Sequence, residues 1–183
     1  MPAQRFLAQP MKVIRVLWAA LTLSNVLLGV MILLNHWPKQ GTPEGQLLVI
    51  LYVSALGGAV ASFVVPRILH AKSLSGVRVE VFPGEPGPTG ASSGGRFAQP
   101  QAAARRAFAI AFQPFIVSMA LSETVSLVGL CVRAMGGPQT TALALVAIGT
   151  TLAAWRFPSP TRLLAPFERK HDATFAASEG GSY

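Results

Sequence analysis

Charge is what this sequence lacks most. Only 12% of its 183 residues are Asp, Glu, Lys or Arg, against about 25% in an average soluble domain, while 51% are hydrophobic. So few polar side chains cannot cover a soluble globule of this length. Acidic residues are scarcest, with seven Asp and Glu against fifteen Lys and Arg. One cysteine, Cys131, lies inside an apolar run, so no intrachain disulfide forms and the redox compartment cannot be read. His36, His70 and His171 are far apart and show no metal-ligand spacing. There is no nucleophile elbow, phosphate loop or pair of carboxylates, so neither an enzyme nor a cofactor is expected.

What is present is apolar length. The charged residues fall almost wholly between four apolar runs, the distribution expected of membrane spans. The first, 16–37, follows Lys12 and Arg15 and ends at Asn35, His36 and Trp37. As a helix it reaches about 33 Å, enough for a hydrocarbon core of about 30 Å. It is too long for a signal-peptide core, and no cleavage motif follows, so it is expected to remain as an anchor. Met11 offers a second start, which would make the first ten residues dispensable. The second run, 47–66, closes at Arg67; the third, 107–132, lies between Arg105-Arg106 and Arg133. The fourth, 140–157, is the shortest and ends around Arg156 and Pro158. The expected fold class is therefore all-α, a polytopic bundle of four transmembrane helices.

Lysine and arginine bias sets the orientation. The N-terminal tail (1–15), the long loop (67–106) and the C-terminal tail (158–183), with Arg156 at the end of the fourth run, hold thirteen basic residues. The two short loops, 38–46 and 133–139, hold only Lys39 and Arg133. Both termini and the long loop are thus expected in the cytoplasm. A net charge of +8 would suggest nucleic acid in a soluble protein. Here the basic residues flank apolar segments, so anionic lipid headgroups are the expected counterpart and nucleic acid is not. Within the long loop, 77–82 alternates as a short strand would, and 83–95 is a tether rich in Pro, Gly and Ser. The alanine-rich stretch from Gln101 should begin the third helix early. Leu163, Leu164 and Phe167, beside Arg162, Arg169 and Lys170, suggest a short interfacial segment.

One residue points toward chemistry. Glu123 lies ten residues before Arg133, about 15 Å from the outer boundary and near the bilayer middle. An ionised carboxylate there costs at least about 2.5 kcal/mol, so it must be protonated, paired or wet. Such a carboxyl group can exchange a proton or coordinate a cation; alternatively it is a packing device that hydrogen-bonds a neighbouring helix. Asn25, ten residues past Arg15, matches its depth from the opposite side and is the expected partner. Together Glu123 and Asn25 form the candidate ion-binding pair. Ser24, Gln113, Ser118, Ser122 and Ser126 would extend a polar seam, although most membrane serines bond only their own helix backbone. Ser54, Gly58 and Ser62 repeat at four-residue spacing, as close-packed membrane helices do, and Gly149 and Ala153 repeat this more weakly. Pro114 is expected to kink the third helix below Glu123.

Ala120, Leu121 and Ser122, leading into Glu123, with Gly129 beyond, resemble the carboxylate-bearing helix of the proteolipid (c) subunit of rotary ATP synthases. Gln99-Pro100 is similar to that family's polar-loop signature, and Gly57-Gly58 would sit on its small-residue first helix. The resemblance spans about a dozen residues. It implies that Glu123 is the ion-carrying acid. The chain departs from the family in its longer loop, in the greater distance from Pro100 to Glu123, in the lack of an extended Gly-x-Gly repeat, and in two additional helices. The functional expectation is a proton- or cation-handling transport subunit or accessory; the alternative is a structural or assembly subunit. Expected partners are the lipid bilayer and other membrane-protein subunits, or a second copy of the chain.

Overall fold

The computed structural model describes residues 2–34, 45–82 and 95–175. The first short outer loop up to residue 44, the tether from 83 to 94 and the tail from 176 lie outside the described residues. Five helices dominate: α1 (Pro2–Leu34), α2 (Gly45–Ser75), α3 (Pro100–Ala134), α4 (Gln139–Trp155) and α5 (Pro160–His171). The chain is all-α in class. Segments of α1, α2 and α3 are each long and apolar enough to cross a membrane, whereas α4 reaches that standard only when counted with α5 as one broken span. The 17 residues of α4 rise only about 26 Å. Helix also continues beyond the apolar runs, with α2 passing through Pro66 to Ser75 and α3 starting at Pro100. α3 continues through Pro114 as well.

Two compact units divide the chain. The polar unit comprises Met1–Ile14, Leu69–Gln113 and Pro158–Tyr183, and it carries ten of the fifteen basic residues. Its core joins Met11, Phe97, Ala103, Ala104, Ala107, Leu164 and Phe167. The alternating stretch at 77–82 yields only a two-residue strand, β1 (Val81–Phe82), which pairs antiparallel with β2 (Gly95–Phe97); β3 (Ala173–Thr174) adds in parallel to β2. Phe97 stacks on Phe175 with ring centroids 4.5 Å apart.

α5 belongs to this unit for reasons legible in its sequence. Ser159 caps its start by accepting from the Arg162 N–H, and Pro160 occupies the first turn, where its missing donor costs nothing. Asp172 ends the helix in the left-handed region at φ 46°. Leu164 and Phe167 face the core while Arg162, Arg169 and Lys170 stay exposed, and Lys170 donates to the Leu74 carbonyl.

The apolar unit comprises Arg15–Ile68 and Pro114–Phe157. Within it α3 is the central helix: half of its most apolar window is buried, against 11% for α1 and for α2. Val125, Val128 and Val132 pack on Ala55 of α2, and Ile32 of α1 meets Ala142 and Val146 of α4. Outward-facing residues of α1 and α2 are large and apolar, among them Leu23, Leu27, Val53 and Leu56. In water so wide an apolar surface would drive association; hydrocarbon is the solvent it suits.

α3 and α4 touch through glycine. A methyl on Gly129 would lie 2.7 Å from the Ala142 carbonyl, and one on Gly149 would lie 2.7 Å from the Ser122 carbonyl and collide with Ser126 Oγ. The glycines of α2 are not used this way. Gly57 has nothing within 4 Å, and Gly58 would make ordinary contact with Val125 at 3.5 Å. The weaker small-residue signal, on α4, marks the tight interface.

Candidate functional site

Glu123 projects from the middle of α3 and is partly buried. Its carboxylate oxygen Oε1 accepts from Ser24 Oγ of α1 at 3.1 Å, which is its one hydrogen bond among the described residues. Asn25, the expected partner, is fully buried, and among the described residues neither its Nδ2 nor its Oδ1 has a hydrogen-bond partner. The neighbouring Ser24 makes the contact to Glu123 instead. One helical position turns the side chain by about 100°, so the two residues leave α1 on different faces. Counting from Arg15 and Arg133 reached the turn of α1 that meets Glu123 but selected Asn25, where the contact is made by Ser24.

The serines divide. Ser54, Ser62, Ser118 and Ser122 each donate to a carbonyl three or four residues earlier on their own helix, as do Thr124, Thr150 and Thr151. That is the ordinary behaviour of hydroxyls in apolar helices. Ser126 does not follow it: its Oγ is buried without a partner among the described residues, as is Thr22 Oγ1 on α1.

Sequence reasoning counted Arg156 only as a boundary charge, and the structure gives it a larger part. From the C-terminal end of α4 its guanidinium reaches two other helices of the apolar unit. Nη1 donates to Ser122 Oγ at 2.7 Å and to the Leu152 carbonyl at 2.9 Å. Nη2 donates to the Ser62 carbonyl at 2.8 Å and to Ser62 Oγ at 2.9 Å. The cation also lies 4.8 Å from the ring centre of Phe63, a cation–π distance. α2, α3 and α4 are thus joined at one planar fork, a geometry lysine could not reproduce. Both hydroxyls it uses are at most 1% exposed. The one sequence signal was its setting, an arginine between Trp155 and Phe157 at the end of the shortest span.

Aromatic residues gather at the same end of the unit. Trp18 donates from Nε1 to the Ala153 carbonyl at 2.9 Å and meets Phe157 edge-on at 5.0 Å. Arg15 lies 5.9 Å from the Phe157 ring centre. Trp155 is 74% exposed. Tryptophan and arginine together at the ends of apolar helices mark a membrane–water boundary.

No family model, curated protein or solved structure matches the chain. The site therefore has to be read from its own chemistry. Among the described residues no group of three or more His, Cys, Asp or Glu side chains is placed to hold a metal. What the arrangement offers is one carboxyl group held by a neutral hydroxyl, next to buried polar atoms whose hydrogen-bonding capacity is unspent.

Proposed function

We propose that the chain is a non-enzymatic integral membrane protein, a subunit or accessory of a transport assembly, whose Glu123 takes up and releases a proton or binds a monovalent cation. The observation that carries this reading is the company Glu123 keeps. Its single hydrogen-bond partner among the described residues is a serine hydroxyl, which can donate to an ionised carboxylate or accept from a protonated one. A carboxyl group meant only to pin helices would gain more from a cation or an amide. The resemblance of residues 119–130 to the proteolipid helix supports the same role. In this reading the basic polar unit faces the cytoplasm with both termini.

Arg156 supports a second reading, a structural or assembly subunit. Its fork to Ser62 and Ser122 fixes three helices without any chemistry, and the Ser24–Glu123 bond would then add α1 to the same scaffold.

Replacing Glu123 separates the two. Glu123→Gln keeps shape and hydrogen bonding but removes the titratable proton. For an ion carrier it should melt like the wild type in detergent yet abolish proton uptake in proteoliposomes, and a lipid-soluble carbodiimide should label the wild type alone. For a pin, Glu123→Gln should be silent. Glu123→Leu, which strips Ser24 of its acceptor, should then cost about 0.6 to 2 kcal/mol. No labelling, a normal Gln variant and a weakened Leu variant together would end the carrier reading.

A further inference from the structure

Two of the unspent polar side chains, Asn25 and Ser126, stand on helices that both pack against α4. Trp18 bonds Ala153, a methyl on Gly29 would lie 3.4 Å from Val146 Cγ1, and Ile32 packs on Ala142 and Val146. As α1 advances, its contacts move backward along α4, so the two helices run antiparallel. Asn25 precedes Gly29 by one turn on the same face. It therefore meets α4 one turn beyond Val146, at Gly149–Thr150. From α3, Ser126 presses on that same turn, where Gly149 has no side chain to oppose its hydroxyl. Asn25 and Ser126 are both 0% exposed and, among the described residues, both without a hydrogen-bond partner.

A fully buried amide with neither end hydrogen-bonded is among the costliest arrangements a protein interior can hold, and hydrocarbon surroundings offer no relief. Ser126 sharpens the point, because Ser118 and Ser122 on the same helix satisfy themselves on the backbone and it does not. Atoms of this kind are completed by internal water, which typically makes about three hydrogen bonds to buried polar groups. Asn25 supplies a carbonyl oxygen and two N–H donors; Ser126 supplies one hydroxyl.

We propose that Asn25 and Ser126 bind an internal water molecule at the α1–α3–α4 contact, wetting the polar centre that contains Ser24 and Glu123. Asn25 follows Ser24 directly, and Ser126 lies one turn beyond Glu123 on α3, so the water site adjoins the Ser24–Glu123 bond. Its role in keeping Glu123 exchangeable rests on the carrier reading above; the binding of water does not.

The chain has two asparagines, Asn25 and Asn35, so labelling can be made site-specific. An Asn35→Gln variant grown with 15N-asparagine and reconstituted in lipid bilayers carries one labelled side-chain amide, that of Asn25. Water-edited solid-state NMR should show magnetisation passing from water to this amide, and Ser126→Ala should at least halve the rate. Glu123→Gln should leave the signal in place. Asn25→Leu, which removes the water's main ligand without adding a partner for Ser126, should lower the melting temperature. No transfer to the Asn25 amide, or a melting temperature raised by Asn25→Leu, would overturn the proposal. A strong Asn25 signal alongside a functionally silent Glu123→Gln would sink the carrier reading and uphold the water site.

Discussion

Adding one methyl group to Gly149 probes the interface on which the rest of the apolar unit depends. In Gly149→Ala the new carbon would lie 2.7 Å from the Ser122 carbonyl and 3.1 Å from the Ser126 N–H nitrogen, besides striking Ser126 Oγ. Two of these obstacles are backbone, so no rotamer change relieves them. Ordinary contact would require α3 and α4 to separate by about 0.7 Å, which a close-packed interior resists. Overpacking of this kind costs about 1–3 kcal/mol, and replacing a helical glycine with alanine returns about 1 kcal/mol of helix propensity at most. A net loss of up to about 2 kcal/mol follows. Gly57→Ala is the control: it gains the same propensity and meets nothing within 4 Å, so it should be neutral or slightly stabilising. Gly58→Ala, at 3.5 Å from Val125, should change little. Unfolding in mixed detergent–SDS micelles, followed by far-ultraviolet circular dichroism, ranks the three. If Gly149→Ala proved as stable as Gly57→Ala, the α3–α4 packing described above would be wrong. The same separation would also draw Ser122 away from Arg156.

Arg156→Lys keeps the charge but cannot hold Ser62 and Ser122 together, so it should lower stability by about 1–3 kcal/mol in the same assay; a wild-type transition for this variant would show that the fork contributes nothing. For topology, in a chain with Cys131→Ser, cysteines at Ser92 and Ser182 should resist an impermeant thiol reagent in intact cells while one at Gly41 reacts. A reactive site at Ser182 would overturn the arrangement with both termini inside. His171, packed among Phe97 and Phe167 beside Lys170, is held below the ordinary histidine range by burial and then by the Lys170 charge. The unfolded chain therefore takes up the proton first, so the stability of the polar unit should be full above about pH 6.5 and decline as pH falls through that value. Burial holds His70 of the same unit below the ordinary range as well, so His171→Phe should reduce this pH dependence in thermal melts without abolishing it, and an unchanged slope would count against it.

The sequence alone determined the all-α class and the position of the apolar runs, because charge exclusion over some twenty residues is a one-dimensional property; it did not determine how far each helix continues past its run, as α2 does to Ser75. The early start of α3 in its alanine-rich segment is equally local. The turn of α1 that meets Glu123 was legible too, since rise per residue converts counting into distance. Tertiary structure decided what depth cannot. Which of two consecutive residues, Ser24 or Asn25, meets Glu123 depends on the rotation of α1 against α3, and no count along the chain contains that angle. The same holds for Gly149: small residues occur along α2, α3 and α4 alike, and only the side facing a neighbouring backbone makes one of them indispensable. Arg156 shows the limit most plainly. Along the chain it is a boundary charge, and it becomes a three-helix tie only because Ser62 and Ser122, 94 and 34 residues away, are packed within reach of its fork.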